Sequence, residues 1–177
     1  MVAPVWGTGA VVESAQWDVR EFMAIFGVGA FYDGTTDVTD DFLAGGVACV
    51  GWAEQDAPAL HKLLARIQVG DIVYIKAHPP GRDLIVKAVG IVTGDSIANH
   101  GNLGQGVPVR WIWRGNEVFR EAQNERYNVR NNTLYEEMSP AMQTRILDLL
   151  LARIEPIAQA AESVGDHLDQ LFEPRDA

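Results

Sequence analysis

The chain has 177 residues, a length that suits one domain and is sufficient to bury a hydrophobic core. A hydrophobic fraction of 47% and a charged fraction of 21% exclude an intrinsically disordered chain. The formal net charge of −10 argues against loose electrostatic binding to nucleic acid, because contacts to phosphates need Lys and Arg.

The first part of the chain predicts a helix followed by an acidic loop. Residues 15–29 predict a helix with Gly27 as its stop signal, because large apolar side chains recur at roughly helical spacing, at Trp17, Phe22 and Ile25. Residues 31–46 are acidic and rich in turn-forming residues, and Asp33-Gly34 indicates a turn within this predicted loop.

A buried strand and an amphipathic helix follow. "GVACVGW", residues 46–52, is a short apolar run typical of a buried strand, and its Cys49 is expected to be a buried thiol. Residues 56–71 form the clearest predicted helix, with Asp56 as its cap and Pro58 in its first turn. Its apolar stripe consists of Leu60, Leu63, Leu64 and Ile67.

Two further strands are predicted at residues 71–77 and 83–95. "HPPGR", residues 78–82, joins them and cannot be helical, because consecutive prolines remove backbone donors and fix the backbone. This hairpin tip displays His78 and Arg82.

Gly90 lies inside the second of these strands, where glycine lowers strand stability, and so predicts a bulge or a close backbone approach. Residues 96–106 are a polar, glycine-rich loop, and residues 107–119 are a fourth strand. Strict alternation along that strand predicts two faces: Val107, Val109, Trp111 and Trp113 on one, and Arg110, Ile112 and Arg114 on the other. The two tryptophans are either core residues or one wall of a pocket for a flat ligand.

The last segment, residues 139–172, has a helical pattern that begins with Ser139-Pro140 as cap and first turn. Its apolar residues step by three and four, at Leu147, Leu150, Ile154, Ile157, Ala161, Val164, Leu168 and Leu171. This repeat predicts a coiled-coil seam and hence a homodimer through residues 140–172, although Pro156 would kink or break the helix. The alternative is two amphipathic helices packed on their own domain.

The predicted order of elements favours an α+β fold, a mixed, mostly antiparallel barrel with peripheral helices and a C-terminal helical segment. A doubly wound sheet would need repeated crossover helices, which the pattern lacks. The predicted domains are residues 1–137, the barrel with its N-terminal helix and acidic loop, and residues 138–177, the helical segment.

Five motifs carry a resemblance to a known family. They are "CVGW" (49–52), "VGDIVYIK" (69–76), "VKAVGIVTGD" (86–95), "VPVRWIW" (107–113) and "YNVRNNTLYEE" (127–137). In this order and spacing they resemble the PUA-like superfamily, and among its members the EVE-like and restriction-associated modified-base sensor domains.

The resemblance implies recognition of a modified or flipped base of DNA or RNA in an aromatic pocket, in a prokaryotic or phage defence system. Stacking on aromatic rings suits such a ligand. The candidate ligand-binding residues are aromatic side chains for the base, arginines for phosphate or carboxylate groups, and two residues of the acidic loop: Trp52, Trp111, Trp113, Arg82, Arg110, Arg114, Tyr32 and Asp33.

The sequence contains no recognisable catalytic set, so a non-enzymatic protein without a cofactor is predicted. The glycine-rich stretches lack the Lys-Ser/Thr of a phosphate-binding loop, and the four histidines lack the paired spacing of a metal site. The alternative function is a regulator that binds a small ligand, such as a free nucleotide, or another protein on the same barrel.

Charge is distributed unevenly along the chain. The net charge is −8 over residues 1–61, +4 over residues 62–130 and −6 over residues 131–177, so the two-tryptophan strand lies in a basic middle section. No apolar run is long enough to cross a bilayer, and the N-terminus lacks a signal peptide's basic start and apolar core. A cytoplasmic protein with no membrane partner is predicted.

Overall fold

A curled, mostly antiparallel β-sheet with three helices makes up the part of the chain that the structure describes, residues 23–78, 82–120, 130–154 and 156 of a computed structural model. The strands are β1 (Ile25–Gly29), β2 (Phe31–Tyr32), β3 (Thr36–Asp37), β4 (Val47–Val50), β5 (Ile72–Ala77), β6 (Leu84–Val92), β7 (Ala98–Asn99), β8 (Gln105–Phe119) and β9 (Leu134–Glu136). The helices are α1 (Thr39–Gly45), α2 (Pro58–Leu64) and α3 (140–154), and a 3₁₀ turn spans Gly101–Leu103.

The main sheet has the order β4-β8-β6-β5-β1-β9, with β7 paired to β8, while β2 and β3 form a separate hairpin. Strand β1 runs parallel to β5, and the other described pairs are antiparallel. Because the edge strand β4 approaches β1, the sheet curls into a half-barrel. The predicted mixed, mostly antiparallel α+β architecture is thereby confirmed.

Two apolar clusters cover the two faces of the sheet. The inner core lies within the curl, where side chains such as Val73 and Ile75 of β5 meet Phe42 of α1 and Leu64 of α2. The outer core lies on the opposite face, where alternate residues of the same strand, including Tyr74, meet α3. Helix α3 presents Met142, Ile146 and Leu150 to this face, and all three are buried.

The helix predicted over residues 15–29 is wrong at its C-terminal end, because Ile25 begins β1. This strand lies between β5 and β9 with both faces covered, so nearly all of its residues are buried. A doubly covered strand is a continuous apolar run, which a few helically spaced side chains can imitate. Residues 1–22, which hold the rest of the predicted helix, lie outside the described residues.

The predicted acidic loop is more ordered than expected, since it holds the β2–β3 hairpin and α1. The Asp33-Gly34 turn is confirmed: φ is 52° at Asp33 and 68° at Gly34, in the left-handed region that Asp tolerates and glycine favours. The buried strand predicted within residues 46–52 is confirmed over Val47–Val50, together with its buried Cys49, whereas Gly51 and Trp52 follow the strand and are exposed.

The face prediction for strand β8 holds up to Trp111 and fails at Trp113. Gly90 of β6 pairs with Trp111 and Val89 with Trp113, so the register shifts and Ile112 is the additional residue of a bulge. Trp111 therefore packs against the inner core, while Ile112 and Trp113 pack against the outer core. One wall built from both indoles is excluded by this arrangement.

Helices α2 and α3 begin differently, because only α3 is capped by a side chain. At α2 the predicted cap Asp56 is wrong, because the N-cap residue is Ala57 and makes no side-chain hydrogen bond. At α3 the prediction is confirmed: the hydroxyl of Ser139 accepts a hydrogen bond from the Met142 amide at 3.4 Å, and Pro140 occupies the first turn.

The described part of the C-terminal stripe packs on its own domain. Leu150 is buried in the outer core, and Leu147 and Ile154 pack against it. Residues 157–172 lie outside the described residues, so the homodimer stays a prediction for that part of the segment. Within the part of the chain described here, no helix is both long and apolar enough to span a membrane.

A candidate ligand-binding groove

Trp52 follows strand β4 and is held in place from two sides. Its backbone carbonyl lies 2.8 Å from Nε2 of His61, a buried residue of α2, and its indole Nε1 donates to Thr133 Oγ1 at 3.2 Å. The other ring nitrogen of His61, Nδ1, lies 3.2 Å from Oε1 of the Gln105 side chain. Trp52 is 57% exposed.

Tyr32 forms the adjacent wall and is fixed by the core. Its hydroxyl donates to the Leu103 carbonyl at 2.8 Å, and its ring meets Phe42 edge-to-face at 6.3 Å. Gly51 permits this position, since a Cβ there would lie 2.7 Å from the tyrosine ring. Burial raises the pKa of the Tyr32 hydroxyl, which therefore stays neutral at physiological pH.

These two side chains line a concavity of about 430 Å³, here called the aromatic cavity. Phe31, which is 57% exposed, also lines it, and Asp33, Asn102 and Thr133 supply polar groups. The full lining is Phe31, Tyr32, Asp33, Gly34, Gly51, Trp52, Asn102 and Thr133. Three predicted site residues, Trp52, Tyr32 and Asp33, are thus brought together at one place.

A second concavity of about 440 Å³, here called the lysine cavity, adjoins the first and shares Phe31 and Thr133 with it. Its remaining lining is Gly29, Asp37, Lys76, Ala77, His78, Lys87 and Asn131. Burial lowers the pKa of the Lys76 amine to about 8. Burial and the nearby charges of Lys76 and Arg130 lower the pKa of His78, so its imidazole is neutral near pH 7.

A third concavity of about 360 Å³, here called the arginine cavity, shares Asp37 and Lys87 with the second. Asp37 and Lys87 form an ion pair at 2.5 Å between these two cavities. Burial works against ionisation of Asp37, but the hydrogen bonds from Lys87 and Thr39 outweigh it and lower its pKa. Arg114, a predicted site residue, lines this third cavity and is exposed.

The other predicted site residues lie elsewhere. Trp111 donates from Nε1 to the Phe42 carbonyl at 3.0 Å and so joins β8 to α1 as a packing residue. Trp113 lies on the outer face of the sheet. Arg82 and Arg110 are exposed and are not among the residues that line the three cavities.

A buried polar cluster adjoins the lysine cavity. Arg130 and Glu137 form a doubly hydrogen-bonded ion pair, with distances of 2.8 Å from Nε and 2.7 Å from Nη2, and the side chains are each 3% exposed. Glu137 also accepts hydrogen bonds from the Tyr74 hydroxyl and the Ser139 amide, and the Tyr74 and Tyr135 hydroxyls are paired. Burial raises the pKa of Tyr74, so the cluster has one cation, one anion and two neutral phenols.

Sequence reasoning missed Lys76, Thr133 and His61 as members or supports of the site. The available signal for Lys76 was a lysine within the apolar run "DIVYIKA", since a cation in a strand covered on both faces needs a reason to be there. Thr133 and His61 act through contacts with Trp52, 81 and 9 residues away in sequence, and no local pattern indicates such contacts.

Neither a protein-family model nor a curated protein matches this sequence. The PUA-like resemblance therefore rests on the motifs alone. Among the residues with described positions, no group of three or more His, Cys, Asp or Glu side chains is arranged to hold a metal ion.

Proposed function

We propose that this protein is a non-catalytic recognition module on a PUA-like fold, which binds the flat base of a nucleic acid or of a free nucleotide in the aromatic cavity. The observation that carries the proposal is the pair of exposed aromatic rings, Trp52 and Phe31, lining one concave surface. Stacking of a base on an aromatic side chain contributes roughly 1–3 kcal/mol and tolerates any base, because every base has a π-face.

Polar groups at the same place support selectivity for a base over a simple apolar ligand. The carboxylate of Asp33 can accept hydrogen bonds, and the Asn102 amide can both donate and accept them. These groups can match the donors and acceptors along the edge of a base. The left-handed turn at Asp33 and the two hydrogen-bonded contacts of Trp52 support a preorganised site, which lowers the entropic cost of binding.

The site supports recognition rather than a reaction. The Tyr32 hydroxyl is neutral and is engaged with a backbone carbonyl, and Thr133 lacks a base positioned to activate it among the described contacts. A role in a prokaryotic or phage defence system follows from the resemblance, and a modified or extruded base is the ligand that it favours.

Substitution of Trp52, the exposed tryptophan of the aromatic cavity, tests the proposal through its effect on ligand affinity. We expect Trp52→Ala to weaken binding of nucleosides or single-stranded oligonucleotides by about 5- to 150-fold, the factor that stacking energies of roughly 1–3 kcal/mol imply. Trp52→Phe keeps a π-face and should recover much of the affinity. Calorimetry with unmodified and modified cytosine in single-stranded and duplex oligonucleotides, and with free nucleosides, measures both effects.

Val69→Ala is the matched control, since Val69 is a similarly exposed apolar residue, at 60%, in the turn before β5. It should bind as the wild type does. If Trp52→Ala binds every probe as tightly as the wild type, the base site is refuted. In that case the exposed ring pair fits the competing function better, a surface that binds another protein.

A further inference from the structure

Lys76 is a buried cation without a carboxylate partner among the described residues. The residue is 6% exposed, its Nζ donates to the Arg130 carbonyl at 2.5 Å, and it lies 5.4 Å from the centre of the Tyr135 ring. The Arg130 carbonyl accepts a hydrogen bond from one N–H of the Lys76 ammonium group, and the face of the Tyr135 ring offsets part of its charge. Burying an ammonium group without an anion is costly, so such a group is retained where an anion completes its surroundings.

The carboxylates near Lys76 have other partners. Glu137 forms its ion pair with Arg130 and accepts further hydrogen bonds from Tyr74 and Ser139. Asp37, which lines the same cavity, pairs with Lys87. The remaining neighbours, Tyr135 and His78, are neutral at pH 7. The positive charge of Lys76 is therefore not neutralised by a described side chain.

The lysine cavity gives an anion access to this amine. Lys76 lines it together with the neutral donors of Asn131 and Thr133. The Thr133 hydroxyl accepts from Trp52 Nε1 and keeps its own hydrogen for a ligand. Phe31 and Thr133 form a wall common to the lysine and aromatic cavities, so one ligand can occupy both.

We propose that the lysine cavity is an anion site in which Lys76 binds the terminal phosphate of a nucleotide whose base stacks on Trp52. The inference rests on the proposed function for the position of the base, and, for the phosphate, on a buried amine that has no carboxylate partner among the described residues. A terminal phosphate can enter the cavity and reach a side chain that is 6% exposed. A phosphate inside a strand is linked to sugars on both sides, and both would have to enter with it. The geometry favours a free nucleotide or a phosphorylated strand end over an internal phosphate.

Calorimetry with four kinds of probe tests this assignment: inorganic phosphate, the common nucleosides, their 5′-monophosphates, and dinucleotides whose only phosphate is internal. We expect a monophosphate to bind at least about tenfold more tightly than its nucleoside, because charge-assisted hydrogen bonds are stronger than neutral ones. Lys76→Met should remove that advantage and leave nucleoside binding unchanged. Lys62→Met, at an exposed lysine of α2, is the matched control and should behave as the wild type.

A measurement on the unaltered protein complements the variant. The anion should raise the pKa of the Lys76 amine, so binding of a monophosphate at pH 8 should take up protons, while binding of a nucleoside should not. Titrations in two buffers with different ionisation enthalpies detect this uptake. At that pH the phosphate is fully ionised, and His78, with its lowered pKa, is neutral.

The outcomes separate this inference from the proposed function. Equal affinities for nucleoside and monophosphate, without proton uptake, overturn the anion site and leave the base site intact. Binding of inorganic phosphate that depends on Lys76, with no binding of any nucleoside, supports the anion site and overturns the base site. Dinucleotides that bind as tightly as monophosphates overturn the terminal-phosphate assignment in favour of a strand. If no probe binds, both proposals fail.

Discussion

At the scale of single residues, Gly90 shows how one missing side chain shapes the sheet. A Cβ at this position would lie 2.6 Å from Val109 Cγ1, 2.7 Å from the Arg110 carbonyl oxygen and 2.9 Å from the Trp111 ring. The oxygen belongs to the backbone of β8 and cannot rotate away. Gly90 thus permits the close approach of two strands at the bulge that separates the faces of Trp111 and Trp113.

We expect Gly90→Ala to lower the free energy of unfolding by about 1–3 kcal/mol or more, since overpacking of this size is destabilising. Urea denaturation measures the change. Gly45→Ala serves as the control, because Gly45 is an exposed helical residue whose added Cβ would meet only Val47 Cγ2, at 3.3 Å. Equal stability of Gly90→Ala and wild type would show that the bulge can relax at no cost.

The buried amine of Lys76 should make the free energy of unfolding increase as the pH rises above 8. The pKa of its amine is about 8 in the folded protein and 10.5 in an exposed chain, so between these values the unfolded state binds more protons. The cost of burying the charge is fully present below pH 8 and disappears as the pH rises towards 10.5. Relative to Lys76→Met, the wild type should therefore gain up to roughly 3 kcal/mol across this window.

Urea unfolding of the wild type and of Lys76→Met at intervals from pH 7 to pH 10.5 measures the difference between them. Taking the difference removes the titration of the tyrosines, which both proteins share. A difference that does not change with pH would mean that the amine keeps its ordinary pKa in the folded protein.

At the scale of elements, α3 owes its position to the outer core rather than to its own helical propensity. Met142 and Ile146 are almost completely buried against the sheet, and Leu150 is 5% exposed, while the next residue, Leu151, is 45% exposed. The two neighbouring leucines differ in surroundings and not in chemistry. They form a matched pair for testing how α3 packs.

Leu150→Ala is expected to lower the free energy of unfolding by about 2–5 kcal/mol, the usual cost of removing a buried leucine side chain. Leu151→Ala should change it by less than about 0.5 kcal/mol. Urea denaturation, with light scattering on the same samples, gives stability and oligomeric state together. Equal effects of the two substitutions would contradict the packing of α3 on the outer core.

Elements with a single period or a strong local signal could be predicted from the sequence: α2, the strands from β4 to β6, the Asp33-Gly34 turn and the Ser139 cap. Strand β1 could not, because its partners β5 and β9 are distant in sequence and nothing local distinguishes a doubly covered strand from a helix. For the same reason, strict alternation misplaced Trp113, since a bulge depends on the paired strand.

Three of the eight residues that line the aromatic cavity could likewise be predicted from the sequence. Trp52, Tyr32 and Asp33 stand at strand ends and turns, where the sequence marks exposed and oriented residues, and the structure places all three on one cavity. Lys76 is of interest because no carboxylate among the described residues pairs with it, and this property of its folded surroundings is not visible in a sequence pattern. The sequence predicted Trp111 to line a pocket, whereas in the structure its indole donates a hydrogen bond to the Phe42 carbonyl of α1 and packs against that helix.

At the scale of the whole molecule, the net charge of −10 limits the kind of ligand that can bind. A nucleotide held by one buried lysine makes one phosphate contact, so we expect its affinity to fall by no more than about fivefold between 50 and 200 mM salt. A strand gripped at six or more phosphates would lose on the order of a thousandfold or more over the same range. Calorimetry at the two salt concentrations measures the slope, and a steep loss would indicate a polymer ligand.

The placement of β1 between β5 and β9 also means that β1 cannot pair on both edges until late in translation. Leu134, the first residue of β9, is synthesised more than a hundred residues after Gly29, the last residue of β1. At about 5–20 residues per second, the edge of β1 that pairs with β9 therefore stays unpaired for roughly 5–20 s. An apolar strand with an open edge can pair with another nascent chain. Slower or interrupted translation of the segment before β9 should therefore lower the yield of folded protein, even where the finished protein is no less stable.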